Sequence, residues 1–360
     1  MKTTTTLERR LDFTGQRVFV GLDVHNKTWH ASVYCEDVFC KSFTTDNAEG
    51  VFKYLTKTFP NAEYKTVYEA GYCGFAPYRE LLAYGLNPIV VNPADVPTTD
   101  KEKQNKTDKI DSKKLADNLK DNKLKALYVP SIEDEAIRDL LRQRESCVKR
   151  QTQIKNQIKA FLQKYGIKYT DEYPISTHWS NSFIEYLKNI NTLDPLARIV
   201  LDSHLRNLAN FRQEIKSLEK HIKEVFHNEK HSETFELLKS APGIGDTSAA
   251  VLLSEIIDIK RFKTFDELNS YCGFCPKEHS SGETKKVGSL CKRRNARINK
   301  TLIESAWVAI RIDQTLTLAY NKLIKKNIKA QKAIVKIARK LLRKIMMVLK
   351  TRTPYVTGLA

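Results

Sequence analysis

Apolar residues change their period twice along this chain. From residue 17 the apolar runs are short and rich in β-branched residues. "RVFVGLDV" predicts a strand, and "WHASVYC" and "VFCKSFTT" follow closely enough to be neighbouring antiparallel strands. "NAEGVFKYLTKTF" has helical spacing, and "KTVYEAG" returns to a strand pattern. "PYRELLAYG" predicts a helix stopped at Gly85, and "NPIVVNP" a strand bounded by prolines. Three adjacent strands followed by alternating helices and strands predict an α/β mixed sheet with helices packed on it.

The period then lengthens to seven. Leu140, Cys147, Ile154 and Phe161 repeat at that spacing, as do Leu201, Leu208, Ile215 and Ile222. Sustained heptads predict two long helices packed as a coiled coil or αα-hairpin. Asp194 followed by Pro195 marks the start of the second helix. Arg144 and Gln151 interrupt the first seam. The helices serve internal packing or dimerisation.

Past residue 230, "FELLKSAPGIGDTSAAVLLSEI" reads as helix, turn, helix, and "CPKEHSSGETKKVGSLCKRRN" as a loop. The final run puts Ile334, Ile337, Leu341 and Ile345 on one stripe, which predicts a helix buried in its own domain. The chain therefore divides into a tail (1–15), an α/β domain (16–130), a helical coiled-coil region (131–230), a mostly helical C-terminal domain (231–350) and a tail (351–360).

Charge narrows the partner class. The 360 residues hold 61 Lys plus Arg against 42 Asp plus Glu, a net charge of +19. Such an excess points to a polyanion, with nucleic acid the commonest. No apolar run reaches the roughly 18 residues of a membrane span, and "MKTTTTLERRLDF" lacks the apolar core of a signal peptide. A cytoplasmic protein with reduced cysteines is expected.

Against that background, "NKTDKIDSKKLADNL" stands out. If it is a helix, Asp108 and Asp111 share one face. Taken alone, the pair fits a solvated helix start, with Thr107 or Asp108 as the N-cap. Asp23 and Glu69, however, each end a predicted strand. Four carboxylates gathered there would form an oxygen-rich cluster suited to Mg²⁺, and such a cluster needs cations to be affordable. His25 and His30 flank Asp23; His25 could approach the metal site, although a strand-end histidine is more often structural.

Two further segments carry candidate chemistry. "EHSSGETKKVGSL" places Ser280 and Ser281 before Gly282, with Lys285, Lys286, Lys292, Arg293, Arg294 and Arg297 after it. It reads either as a polar turn or as a hydroxyl nucleophile among cations. "APGIGDTSAA" fits a helix-hairpin-helix in which the Gly243 and Gly245 amides approach a phosphate. Cys272, Cys275, His279 and Cys291 could hold zinc, but their spacing is irregular and buried structural cysteines are the commoner outcome.

Together these pieces resemble the DEDD transposases of the insertion-sequence family one-ten, described as bridge-RNA-guided serine recombinases. The matching stretches are "GLDVHNKTWHASVY", "VYEAGYCGFAPYRELLAYGLNPIVVNP", "KTDKIDSKKLA", "APGIGDTSAAVLLSEI", "FDELNSYCGFCPKEHSSGETKKVGSL" and "RINKTLIESA". The resemblance implies an RNase H/RuvC-like fold for 16–130, Mg²⁺ on Asp23, Glu69, Asp108 and Asp111, and Ser281 as nucleophile in a composite active site. It implies donor and target DNA and a noncoding guide RNA as partners. It also implies a homodimer or homotetramer acting in a prokaryotic, nucleoid-associated setting. One departure is visible: the family's Gly-Asn pair followed by arginine is replaced here by Arg294-Asn295, with Asn299 where that arginine would stand.

Two rival functions share the same residues. A junction resolvase or nuclease would use the carboxylates to activate water without a serine. A non-catalytic scaffold would use only the basic segments.

Overall fold

The structure, a computed structural model, describes residues 11–98, 107–170, 173–174, 177–281, 284–290 and 293–357, with backbone alone over 276–281 and 284–290. The chain forms two compact units, Met1–Val129 and Pro130–Ala360.

The first unit is built on five strands: β1 (Arg17–Val24), β2 (Trp29–Cys35), β3 (Val38–Thr45), β4 (Glu63–Glu69) and β5 (Pro88–Val91). Their order is β3-β2-β1-β4-β5, antiparallel through β3, β2 and β1 and parallel through β1, β4 and β5. This is the mixed sheet expected from the pattern, and broadly that of an RNase H-like fold. The period of two along β1 sends alternate residues to opposite faces. Val18, Val20 and Leu22 enter a core with α1 (Ala48–Thr58) and α2 (Ala76–Ala83), contributed by Val51, Leu55 and Leu81. Phe19 enters the opposite core, with Leu115, Ala116 and Leu119 of α3 (Asp108–Lys120). Each such fully buried aliphatic side chain contributes about 1.5–3 kcal/mol. Gly21 and Asp23 share Phe19's parity, so they face α3. Gly85 closes α2 with a left-handed φ of 71°, as its position suggested.

The second unit is helical. Two long helices, α4 (Ile132–Lys164) and α6 (Pro195–Phe226), pack against each other, with α5 (Asn181–Asn189) between them in sequence. Ile137 and Leu141 share a core with Ile222 and Phe226, whereas Ile154, Ile158 and Leu162 share one with Leu201, Leu205 and Leu208. The two helices therefore run antiparallel. The Asp194 carboxylate accepts from the Leu196 amide at 2.9 Å and caps α6. At the interrupted seam position, Arg144 donates twice to Glu219 Oε1, at 3.0 and 2.6 Å.

The remaining helices are α7 (Ser232–Lys239), α8 (Asp246–Ile256), α9 (Phe265–Tyr271), α10 (Ala296–Ile312), α11 (Gln314–Lys325) and α12 (Ala330–Thr351). As expected, α12 buries Ile334, Ile337, Leu341 and Ile345 in this unit's own core. One expectation is corrected. The segment read as a loop contains two antiparallel strands, β6 (Pro276–Ser281) and β7 (Thr284–Leu290), with Ser281 opposite Thr284. Its glycine, serine and lysine content hid a backbone that pairs with itself.

Candidate functional site

Three elements of the first unit converge at one end of the sheet. Asp23 lies near the end of β1, paired in register with His30 of β2. The residue before it, Leu22, pairs with Tyr68, and Glu69 follows as the last residue of β4. Asp108 begins α3, and Asp111 follows one turn later. Thr107, not Asp108, is the N-cap, accepting from the Ile110 amide at 3.3 Å.

The approach of α3 to β1 depends on the absence of one side chain. A Cβ on Gly21 would lie 2.1 Å from the Ser112 carbonyl oxygen and 2.4 Å from the Ala116 nitrogen. Such contacts are far inside van der Waals range, so glycine sets the closeness of the helix. A buried hydroxyl chain reinforces the fit. Ser32 Oγ lies 2.9 Å from Ser112 Oγ and 2.8 Å from Ser42 Oγ. Neither Gly21 nor these serines was picked out in sequence. A glycine two residues before a strand-end aspartate was the available signal, whereas the serine pairing had none.

The four carboxylates fall into two pairs with different nitrogen partners, imidazoles for one and an ammonium for the other. His25 Nε2 stands 3.4 Å from Asp23 Oδ2 and 3.7 Å from Asp108 Oδ1, and His30 Nε2 stands 3.2 Å from Asp108 Oδ2. One ligand atom each from Asp23, His25 and Asp108 lies within 4.8 Å of the others, a grouping able to hold a metal ion. On the other side, the Lys114 ammonium is 3.0 Å from Asp111 Oδ1 and 3.9 Å from Glu69 Oε1. Its side chain is only 9% exposed. Burial raises the pKa of Asp23; His25 opposes the shift, while Asp108 and Asp111 add to it. A carboxylate so placed gains from any cation that joins it. The set suits a divalent ion chemically, since oxygen donors dominate and one imidazole stands beside them.

The second unit treats its candidates differently. Gly243 has φ 79°, and a Cβ there would lie 2.3 Å from the Ser305 carbonyl oxygen of α10. Its glycine is required by the close packing of this turn on α10. Gly245 is exposed at the start of α8 with open space around it. The adjacent Asp246 pairs with Lys239 at 3.0 Å, so that helix start already carries a carboxylate. Arg297 does not stand free for a polyanion: its Nε donates to Glu145 Oε2 at 2.9 Å. Arg293 and Arg294 are exposed. Asn299 is buried and donates to the Cys272 carbonyl at 2.9 Å, which explains why no arginine occupies that position. Asn295 caps α10 and binds Glu255 Oε2 at 2.9 Å. The side chains of Ser280, Ser281, Lys285, Lys286, His279, Cys291 and Lys292 lie outside the described residues. Of the possible zinc set, Cys272 is fully buried, and burial pushes its thiol pKa up.

Comparison with known proteins adds an independent line. Residues 20–167 match a DEDD family model of the IS110 type, described as a transposase. Residues 235–321 match the model described as "Transposase IS116/IS110/IS902 family". Together the two matches cover well over half of the chain. A putative transposase of Sinorhizobium fredii is 30% identical over 71% of this chain and 60% of its own length. The transposase for insertion sequence element IS1533 of Leptospira borgpetersenii is 26% identical over 81% of this chain and 85% of its own. The transposase for element IS1111A of Coxiella burnetii is 26% identical over 66% and 64%, respectively. The chain thus spans less than two thirds of the first and third of these relatives. No helix among the described residues is long and apolar enough to cross a membrane.

Proposed function

Because the chain belongs to the insertion-sequence transposases of these two family models, we propose that it cuts and rejoins DNA through a divalent-ion centre. Asp23, Glu69, Asp108 and Asp111 are its acidic set, and Mg²⁺ is the assigned ion because carboxylate oxygens dominate. Bound there, the ion would polarise a phosphoryl oxygen and stabilise developing charge. The chain's own contribution is position: α3 is held against β1 by Gly21 and Ser112, and its first turn carries two carboxylates to the sheet's end. The observation that carries the reading is the gathering of Asp23, His25 and Asp108 ligand atoms within 4.8 Å. Asp23→Asn should eliminate Mg²⁺-dependent cleavage of a DNA substrate carrying the element's ends. Undiminished cleavage would overturn the reading.

The resemblance places the serine outside the carboxylate-bearing segment. Residues 20–167 match a carboxylate-type transposase, so that segment is not a serine recombinase domain. The nucleophile belongs to the 235–321 segment, where Ser281 is assigned. Its Oγ would bond to phosphorus as the P–O3′ bond breaks. The hydroxyl proton passes to a base or solvent, and the 3′ oxygen leaves as a hydroxyl. A 5′-phosphoserine link remains until a DNA hydroxyl reverses it. Ser281→Ala should then yield no covalent adduct, and an adduct trapped with that variant would refute the assignment.

Hydrolysis by activated water is the second reading, favoured by an acidic centre whose residues all lie between positions 23 and 111. Cleavage that survives Ser281→Ala would establish it. Guidance by a noncoding RNA comes from the family resemblance; the net charge of +19 fits a polyanion, DNA or RNA alike. Strand exchange reconstituted with and without RNA transcribed beside the gene tests it.

A further inference from the structure

We infer that the acidic set is a one-ion centre in which His25 supplies a nitrogen ligand beside Asp23 and Asp108, while the Lys114 ammonium takes the second cation's place between Asp111 and Glu69. The inference rests on the divalent-ion reading above and refines it.

Geometry separates the two halves. Ligands about 2.1 Å from a common ion stand roughly 3–3.5 Å apart. His25 Nε2 is 3.4 Å from Asp23 Oδ2 and 3.7 Å from Asp108 Oδ1, close to that spacing. The turn bearing His25 is fixed by its amide, which donates to the Thr28 carbonyl at 3.1 Å. Asp108 is oriented in turn: its second oxygen, Oδ2, lies 3.2 Å from His30 Nε2. A partner on the non-ligating oxygen is the usual outer support of a metal-binding carboxylate.

The other half is already occupied by positive charge. Lys114 is one turn beyond Asp111 on α3, and its side chain is almost wholly enclosed. An ammonium 3.0 Å from one carboxylate and 3.9 Å from the next offsets one of their two negative charges where a second ion would otherwise do so. Two ions 3.5–4 Å apart would need that volume.

Ion preference follows from the donor set. Carboxylate and water suit Mg²⁺, whereas an imidazole nitrogen moves affinity toward Mn²⁺ and later metals. The full-length protein should therefore bind one Mn²⁺ per chain, roughly tenfold or more tighter than Mg²⁺.

Electron paramagnetic resonance of bound Mn²⁺ supplies a readout separate from catalysis. Native protein should show one ion with ¹⁴N modulation in its spin echo. His25→Ala should lose the modulation and about tenfold in affinity, and His30→Ala should retain the modulation. Circular dichroism and melting of both variants guard against misfolding. Lys114→Gln should raise the stoichiometry to two. Modulation that persists in folded His25→Ala, or is absent from native protein with bound Mn²⁺, overturns the nitrogen ligand. Two ions in native protein, or one in Lys114→Gln, overturns the lysine's role. No Mn²⁺ binding at all to native protein would instead sink the divalent-ion reading itself.

Discussion

Gly21 and Gly243 solve the same steric problem in different units, with different results. At each, a Cβ would run into a helix carbonyl, Ser112 O at 2.1 Å or Ser305 O at 2.3 Å. At Gly21 the helix drawn in begins with Asp108 and Asp111, so close approach assembles a candidate centre. At Gly243 the helix drawn in presents Ala306 and Ala309 to a core, so close approach gives packing and nothing more. A glycine signature by itself says only that two backbones meet; the chemistry depends on what the second backbone carries.

Substitutions can break this comparison in graded steps. Gly21→Ala is expected to have the largest effect. Pushing α3 off β1 should cost about 3 kcal/mol or more, as overpacking does, and should also abolish divalent-ion binding. Thermal melting and Mn²⁺ titration check both; retained binding would mean that α3 does not need its close seat. Gly243→Ala should cost about as much, since the contact is as tight and φ is 79°, yet ion binding should be untouched. Loss of Mn²⁺ affinity in that variant would erase the contrast.

Asp313→Asn comes next, at about 1.5–3 kcal/mol for charge-assisted hydrogen bonds. Burial opposes ionisation of Asp313. Hydrogen bonds from Thr315, Tyr355 and the Leu316 amide, with Lys344 nearby, outweigh it and hold the pKa below its ordinary 3.8. A depressed carboxylate stabilises the fold above pH 3.8, and the contribution is lost as pH falls through the lowered value. Urea unfolding should therefore show native and variant proteins differing fully near neutral pH and converging in strong acid. Gly245→Ala should be the mildest. The position is open and extended, so stability should change by less than about 0.5 kcal/mol. A marked loss of DNA affinity there, with its salt dependence reduced, would restore a phosphate contact to the turn.

Much of the first unit was legible because its strands are short, β-branched and alternate cleanly. Asp23 and Glu69 could be placed at strand ends, and Asp108 and Asp111 on one helix turn, from period alone. What escaped reading depends on distance in sequence. Ser32 and Ser112 are 80 residues apart, and nothing local says that their hydroxyls meet at 2.9 Å. Lys114 looked like one of many lysines, because its enclosure is a property of the fold. The β6–β7 hairpin was missed for the opposite reason: its residues favour turns locally, and only pairing makes them strands.

The Arg144–Glu219 pair has a mechanical consequence. Sliding α4 along α6 by one turn, about 5.4 Å, would part the guanidinium from Glu219 and lift Ile137 and Leu141 off Ile222 and Phe226. The two helices can therefore flex together but resist slipping, and a 33-residue rod near 50 Å long keeps a constant reach.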